Sequence, residues 1–299
     1  ARFALAIVLA ALASMSSVAV MGTAAWLISF AALAPPVLYL QAAAVGVRFF
    51  GIARGCLRYV ERLVGHDLAL RMQAALRLRT YDTLSGTTLL GRRRGDLLSR
   101  VVSDVSAIQD LIVRVIVPFC SASLVIIGTT VMLGRFSPGS AAVLFGSAVL
   151  AGIVLPWLTQ RWSPRADLAA APARGQLADE VHHLATSAQD LVAFGADEAA
   201  LAQALEVDDR LRQIETRTSW VRGLATAGQI LAAGIAVVAA LWIGGHQVAA
   251  GTLKPRVLAV LVLTPLALHE VFATFTQAAQ TYTRSRAALG RLAAVLDAP

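Results

Sequence analysis

The chain is 299 residues long, 57% hydrophobic and only 15% charged, with a formal net charge of +8. Soluble globular domains carry about 25% charged residues, so this composition excludes an ordinary water-soluble core and points to a protein built in a bilayer. Nucleic acid is set aside as a partner, because the positive charge is spread over segments that flank apolar runs and is not gathered on a base-reading face.

From Phe3 to Val47 there is no Asp, Glu, Lys or Arg. A hydrocarbon core of ~30 Å takes about 20 apolar helical residues, so the run is long enough for two passes, divided at Pro35 and Pro36. The second pass leads directly into Arg48, Arg54, Arg58, Arg62 and His66. Apolar residues then recur at three and four residue intervals from Leu57 to Leu84, which predicts an amphipathic helix reaching roughly 45 Å beyond the membrane interface. Gly91 and Gly95 break it at GRRRGD, and LLSRVVSDVSAIQDL returns with a helical period into a third span.

Charge-free windows at 115–134, 136–160 and 223–253 follow, and a last one at 257–283 is interrupted only by Glu270. The expectation is an all-α membrane protein with six transmembrane helices near 3–33, 37–60, 112–134, 138–160, 222–245 and 256–283. On one side the connections are short: 34–37, 135–139 with its Ser-Pro-Gly turn, and 244–255, where Gly244, Gly245 and Gly251 are expected breakers. On the other side are two long helical excursions, the second turning through DEVHHLATSAQDLVAFGADEAAL. Capping signals stand near both tips, Ser103 with Asp104 in the first and Ser187 with Asp190 in the second. Twenty-three of the 26 Lys and Arg fall on the side of the long excursions, which predicts that this side, with both termini, is cytoplasmic. Trp26, Trp157, Trp162, Trp220 and Trp242 fit interfacial belts near span ends.

The candidate chemistry is sparse. A phosphate-cradling GxxxxGK[ST] loop is absent, since the one lysine is Lys254, between Leu253 and Pro255; no catalytic residue and no ATP hydrolysis are expected of this segment itself. Cys56 and Cys120 have neither CxxC spacing nor further ligands nearby and read as unpaired packing residues. Arg54, Arg58, Arg62 and His66 lie four apart on one helical ridge, with Glu61 available as a partner. They read either as snorkelling arginines and a surface histidine, or as a binding face. An imidazole for iron and guanidiniums for two propionates are what a haem requires, and the spacing permits that without requiring it. His269 and Glu270 stand inside the sixth span, either as a buried polar pair between helices or as the wall of a transport cavity with Glu270 opposite a second-helix arginine.

Six spans, two long helical hairpins and a final helix running into Asp297, Ala298 and Pro299 resemble, over the whole chain, the transmembrane domain of ABC exporter half-transporters. GDLLSRVVSDVSAIQDL is similar to that family's first coupling loop and LATSAQDLVAFGAD to its second. The resemblance implies coupling regions near 90–108 and 180–200, with Ser103, Asp104, Val105, Gln189, Asp190 and Phe194 facing nucleotide-binding domains. More narrowly, GTAAWLIS at 22–29 and VRFFGIARGCLRYVERLVGHD at 47–67 resemble the CydC branch, which is associated with cytochrome bd assembly.

That likeness implies one permease half of an ATP-driven heterodimer with a CydD-type half-transporter, embedded among the lipids of the bacterial cytoplasmic membrane. ATP and Mg are expected on nucleotide-binding domains following residue 299. It further implies haem as bound ligand or cargo, with His66 as the ligand to the haem iron; Arg54, Arg58 and Arg62 are added to that site from their spacing. Haem handling is the leading expectation. Export of glutathione or cysteine is the first alternative, and a lipid or multidrug exporter or a non-transporting assembly scaffold are further ones.

Overall fold

A computed structural model describes residues 2–86, 104–162, 164–272, 278, 281–282, 285–286 and 288–290. Among these residues the chain is helical, without a strand. The helices are α1 (Arg2–Ala31), α2 (Leu38–Gly86), α3 (Asp104–Gly134), α4 (Pro138–Thr159), α5 (Pro164–Thr186), α6 (Ala188–Ala193), α7 (Asp197–Ala249) and α8 (Pro255–Phe272). Six of them, α1, α2, α3, α4, α7 and α8, are long and apolar enough to cross a membrane, which is the six-span architecture expected. The described chain divides into two compact units, one formed by 1–154 with 229–299 and the other by 155–228.

In the first unit α1 packs along α2, α3 and α8, and α3 packs on α4. An apolar cluster holds this bundle together, with Val125 and Leu133 of α3, Leu144 and Ala148 of α4, and Leu261, Leu268 and Phe272 of α8 at its centre. Its helices meet closely because the contact positions are small: Ala6, Ala10, Ala13 and Ser14 of α1 are all buried. At one end of α1, Arg256 of α8 lies over the rings of Phe30 (5.2 Å) and Trp26 (5.9 Å). At the other, Asp67 of α2 accepts from Arg2 (3.4 Å) and Arg71 (2.9 Å). Beyond the spans, Val105 and Ile108 of α3 pack against Met72 and Leu76 of α2, so the long extension of α2 is braced by the returning helix.

Proline sets the irregularities. The α3 ladder slips to a π turn over Ile112–Ile116, where the Val117 amide donates to the Ile112 carbonyl, and Pro118 follows immediately. Proline has no N–H for the carbonyl four residues back, so the pattern shifts to a wider turn. The π turn Leu150–Val154 in α4 stands in the same relation to Pro156. Ala34, just before Pro35 and Pro36, is held at a φ of 47°, a left-handed conformation that costs an L-residue about 1–2 kcal/mol.

Two local expectations are corrected. Gly244 and Gly245 do not break α7, which continues to Ala249; the turn comes at Gly251, with a φ of 70°. A Cβ on Gly244 would stand 2.5 Å from a Leu258 methyl, so this glycine serves the close approach of α8. Ser187 precedes α6, but its side chain makes no capping hydrogen bond, so the capping box with Asp190 is not formed. A working cap occurs instead at Ser137, whose buried Oγ accepts from the Ser140 amide (3.2 Å) ahead of Pro138.

The second unit is a hairpin of α5 and the first half of α7, with α6 between them. Its contacts are polar at the surface: Arg174 donates to Glu215 (2.8 Å) and Gln203 to Glu180 (3.1 Å). Ala173, Ala204, Leu211 and Ala225 supply its buried apolar positions. Gly195, at a φ of 64°, ends the short α6 and turns the chain into α7.

Candidate functional site: a charged cavity within the bundle

A cavity of about 460 Å³ lies inside the first unit, within the size range of small-molecule sites. Four helices and the segment after α8 line it. α1 contributes Ser14 and Ser17, α2 contributes Arg58 and Glu61, α3 contributes Arg114 and Ser121, and α8 contributes Glu270. Ser14 and Ser17 are three apart and therefore share a helix face, as do Arg58 and Glu61. The π turn of α3 carries Arg114 on the cavity wall beside Pro118.

The charges here are mixed. Arg114 is tied by its Nε to Asp110 one turn earlier (3.0 Å). Arg58 and Glu270 make no hydrogen bond or ion pair with any other described residue, although both line the same cavity. Both side chains are exposed, so each faces the open space of the cavity, where water or a bound ligand of opposite charge can meet it. The cavity can therefore take a small molecule carrying both an anionic and a cationic group. Hydroxyls from Ser14, Ser17 and Ser121 lie along its wall; two of them donate to their own helix backbone, Ser17 to Ala13 (3.4 Å) and Ser121 to Pro118 (3.0 Å).

The residues singled out by sequence separate into three environments. Arg58 and Glu270 come together at the cavity. Arg54, Arg62 and His66 do not line it; like Arg58 they are exposed on α2, where residues 38–64 include no buried position. His269 turns away from Glu270 toward α4, as neighbouring residues on a helix point about 100° apart. Its Nε2 lies 3.4 Å from the Ser147 hydroxyl, and its ring meets Phe272 edge-on at 5.6 Å. Because that hydroxyl already donates to the Leu144 carbonyl (2.8 Å), it is placed to accept from Nε2–H. Nδ1 of His269 is buried without a hydrogen-bond partner.

Among the predicted coupling residues, Asp104 and Val105 are buried, whereas Gln189, Asp190 and Phe194 are exposed; Ser103 lies outside the described residues. Phe194, 86% exposed, stands at the end of α6. Sequence reasoning missed Arg114, Ser14, Ser17 and Ser121. A signal existed for the first, an ionisable residue four after Asp110 at the mouth of an apolar span. No group of three or more His, Cys, Asp or Glu among the described residues is arranged to hold a metal ion.

Residues 3–267 match the ABC transporter transmembrane region. The chain is 30% identical to the glutathione/L-cysteine transport system ATP-binding/permease protein CydC of Escherichia coli, over 98% of this chain and 52% of that protein. It is 30% identical to the glutathione/L-cysteine transport system ATP-binding/permease protein CydD of Bacillus subtilis, over 92% of this chain and 49% of that protein. A CydC of the same description from Haemophilus influenzae is 26% identical over 67% of this chain and 35% of its own length. The chain thus spans about half the length of the first two of these curated relatives.

Proposed function

The chain belongs to the ABC transporter transmembrane family, and from that premise we propose that it is one permease half of an ATP-driven transporter for small zwitterionic thiols, glutathione or cysteine. The observation that carries this reading is that an arginine, Arg58, and a carboxylate, Glu270, neither of them in a hydrogen bond or close ion pair with a described residue, line one cavity. A lipid or multidrug cargo calls for an apolar wall, and this cavity presents four charged side chains. A scaffold that only holds partners together has no use for such a space.

In this reading the arginine-rich side is cytoplasmic, in a bacterial cytoplasmic membrane. A CydD-type half completes the pathway, and nucleotide-binding domains supply ATP and Mg. The braced extension of α2 and α3 and the exposed tip at Gln189, Asp190 and Phe194 are the surfaces on which those domains act, so closure there moves the helices around the cavity. ATP changes which conformation is populated and takes part in no covalent step within this chain. The test is ATP-dependent accumulation of labelled glutathione by the full heterodimer in proteoliposomes. Accumulation that disappears without ATP supports the reading; an ATPase that turns over with no glutathione or cysteine movement overturns it.

A second reading, haem handling linked to cytochrome bd assembly, is supported by His66. Its imidazole is exposed, and Arg62 is one turn away on the same ridge. Haem is then a cargo or ligand at the α2 surface, separate from the cavity. Haem titration of the heterodimer in nanodiscs tests it. A shifted Soret band lost in His66→Ala supports ligation, and a band that is absent or survives the substitution removes it.

A further inference from the structure

We infer that the cavity recognises the α-amino-acid end of its cargo and is indifferent to the thiol, with Glu270 receiving the ammonium group and Arg58 the α-carboxylate. The inference rests on the permease reading above and specifies what that site selects. Glutathione and cysteine share two features, a thiol and an α-amino acid zwitterion. The cavity offers partners for the second: Arg58 is a fixed cation with Glu61 as its charged neighbour one turn away and no hydrogen bond to a described residue, and Glu270 is a carboxylate without a hydrogen bond or ion pair among the described residues. A guanidinium holds a carboxylate by two parallel hydrogen bonds, and an ammonium group, with three N–H donors, gives a carboxylate a charge-assisted hydrogen bond.

For the thiol the cavity offers nothing specific. Neither Cys56 nor Cys120 lines it, so thiol–disulfide exchange with the wall is not available, and no group of metal-ligating residues among the described residues could bind sulfur through an ion. Asp110 is paired with Arg114, and Glu61, one turn from Arg58, interacts with its charge, so Glu270 is the carboxylate on the wall without a charge partner among the described residues. Glu270 is thereby left for the ammonium group of the cargo, and Arg58, which it shares with Glu61, for the carboxylate.

The experiment uses the complete heterodimer with its nucleotide-binding domains in proteoliposomes and measures competition against ATP-dependent glutathione uptake. Two competitors are compared. γ-Glutamyl-alanyl-glycine lacks the thiol, and glutaryl-cysteinyl-glycine lacks only the ammonium group. On the wild type, the thiol-free peptide is expected to compete within about threefold of glutathione, and the ammonium-free peptide to be weaker by about tenfold or more, the size of a lost charge-assisted hydrogen bond. Glu270→Gln should shrink that gap to under about threefold, and Glu270→Asp should keep it. A thiol-free peptide that fails to compete, an ammonium-free peptide as good as glutathione, or a gap that persists in Glu270→Gln overturns the inference while leaving glutathione transport standing. Absence of any glutathione uptake by the wild type overturns the permease reading and this inference with it. Both wild-type comparisons decide the matter even where the Gln variant fails to assemble.

Discussion

α8 and the membrane-crossing part of α2 both carry charge into an apolar helix, and they resolve it in opposite ways. In α8, Leu261, Leu268 and Phe272 are buried in the bundle core, and Glu270, on another face, opens into the cavity. In α2, residues 38–64 include no buried position, and Arg54 and Arg62 lie on an exposed surface while Arg58 alone of that ridge reaches the cavity. A helix packed on several neighbours has its faces assigned by them. One packed along a single flank leaves its remaining charges to whatever covers that surface, be it headgroup, partner subunit or ligand.

The largest effect that would break this contrast is in the core. Leu268→Ala removes a fully buried side chain from the cluster and is expected to cost about 3 kcal/mol, against under about 0.5 kcal/mol for Ile52→Ala, which is 68% exposed on α2. Thermal unfolding in nanodiscs should order them so; equal losses would mean that the α2 surface is packed in the assembled protein. The next effect sharpens the cavity assignment. Arg58→Gln is expected to raise the KM for glutathione by about tenfold and Arg54→Gln by less than about twofold, since only the former lines the site. Comparable changes in both would show that the whole ridge meets the cargo.

Smaller effects extend the same comparison to hydrogen bonds. Ser137→Ala deletes a buried cap and should cost about 1 kcal/mol. Arg174→Ala breaks an ion pair whose two side chains are 58% and 47% exposed, and a loss under about 0.5 kcal/mol is expected by denaturant or thermal midpoint. A reversal of that order would mean that the second unit's surface pair is enclosed in the working transporter.

The α2 ridge illustrates how far a spacing argument reaches. Four residues recurring every fourth position suggest one face, yet an α-helix repeats every 3.6 residues, so such a row drifts around the axis and its members meet different surroundings. Arg58 and Glu61, three apart, form the face that reaches the cavity; His66, two turns beyond Arg58, does not. His269 and Glu270 are adjacent in the chain, and adjacency on a helix separates side chains by about 100°. One packs on Ser147 and the other faces the cavity. The cap at Ser137 was visible only as a turn, and Gly244 only as a breaker, because closeness to Leu258 is a property of two helices and cannot be read from either.

What the sequence determined by itself was the membrane class, the six spans and the family likeness. Each of these is a property of one helix or one local motif: a span must satisfy its own backbone hydrogen bonds and match the hydrocarbon thickness, and charge-free runs bounded by Pro, Gly or Arg record that directly. The tertiary structure alone decided that Arg58, Arg114 and Glu270 share one cavity and that Arg54, Arg62 and His66 do not. Arg58 and Glu270 are more than 200 positions apart, and no period within either helix encodes the rotation at which the two pack. That rotation is set by which small and apolar positions interlock in the core.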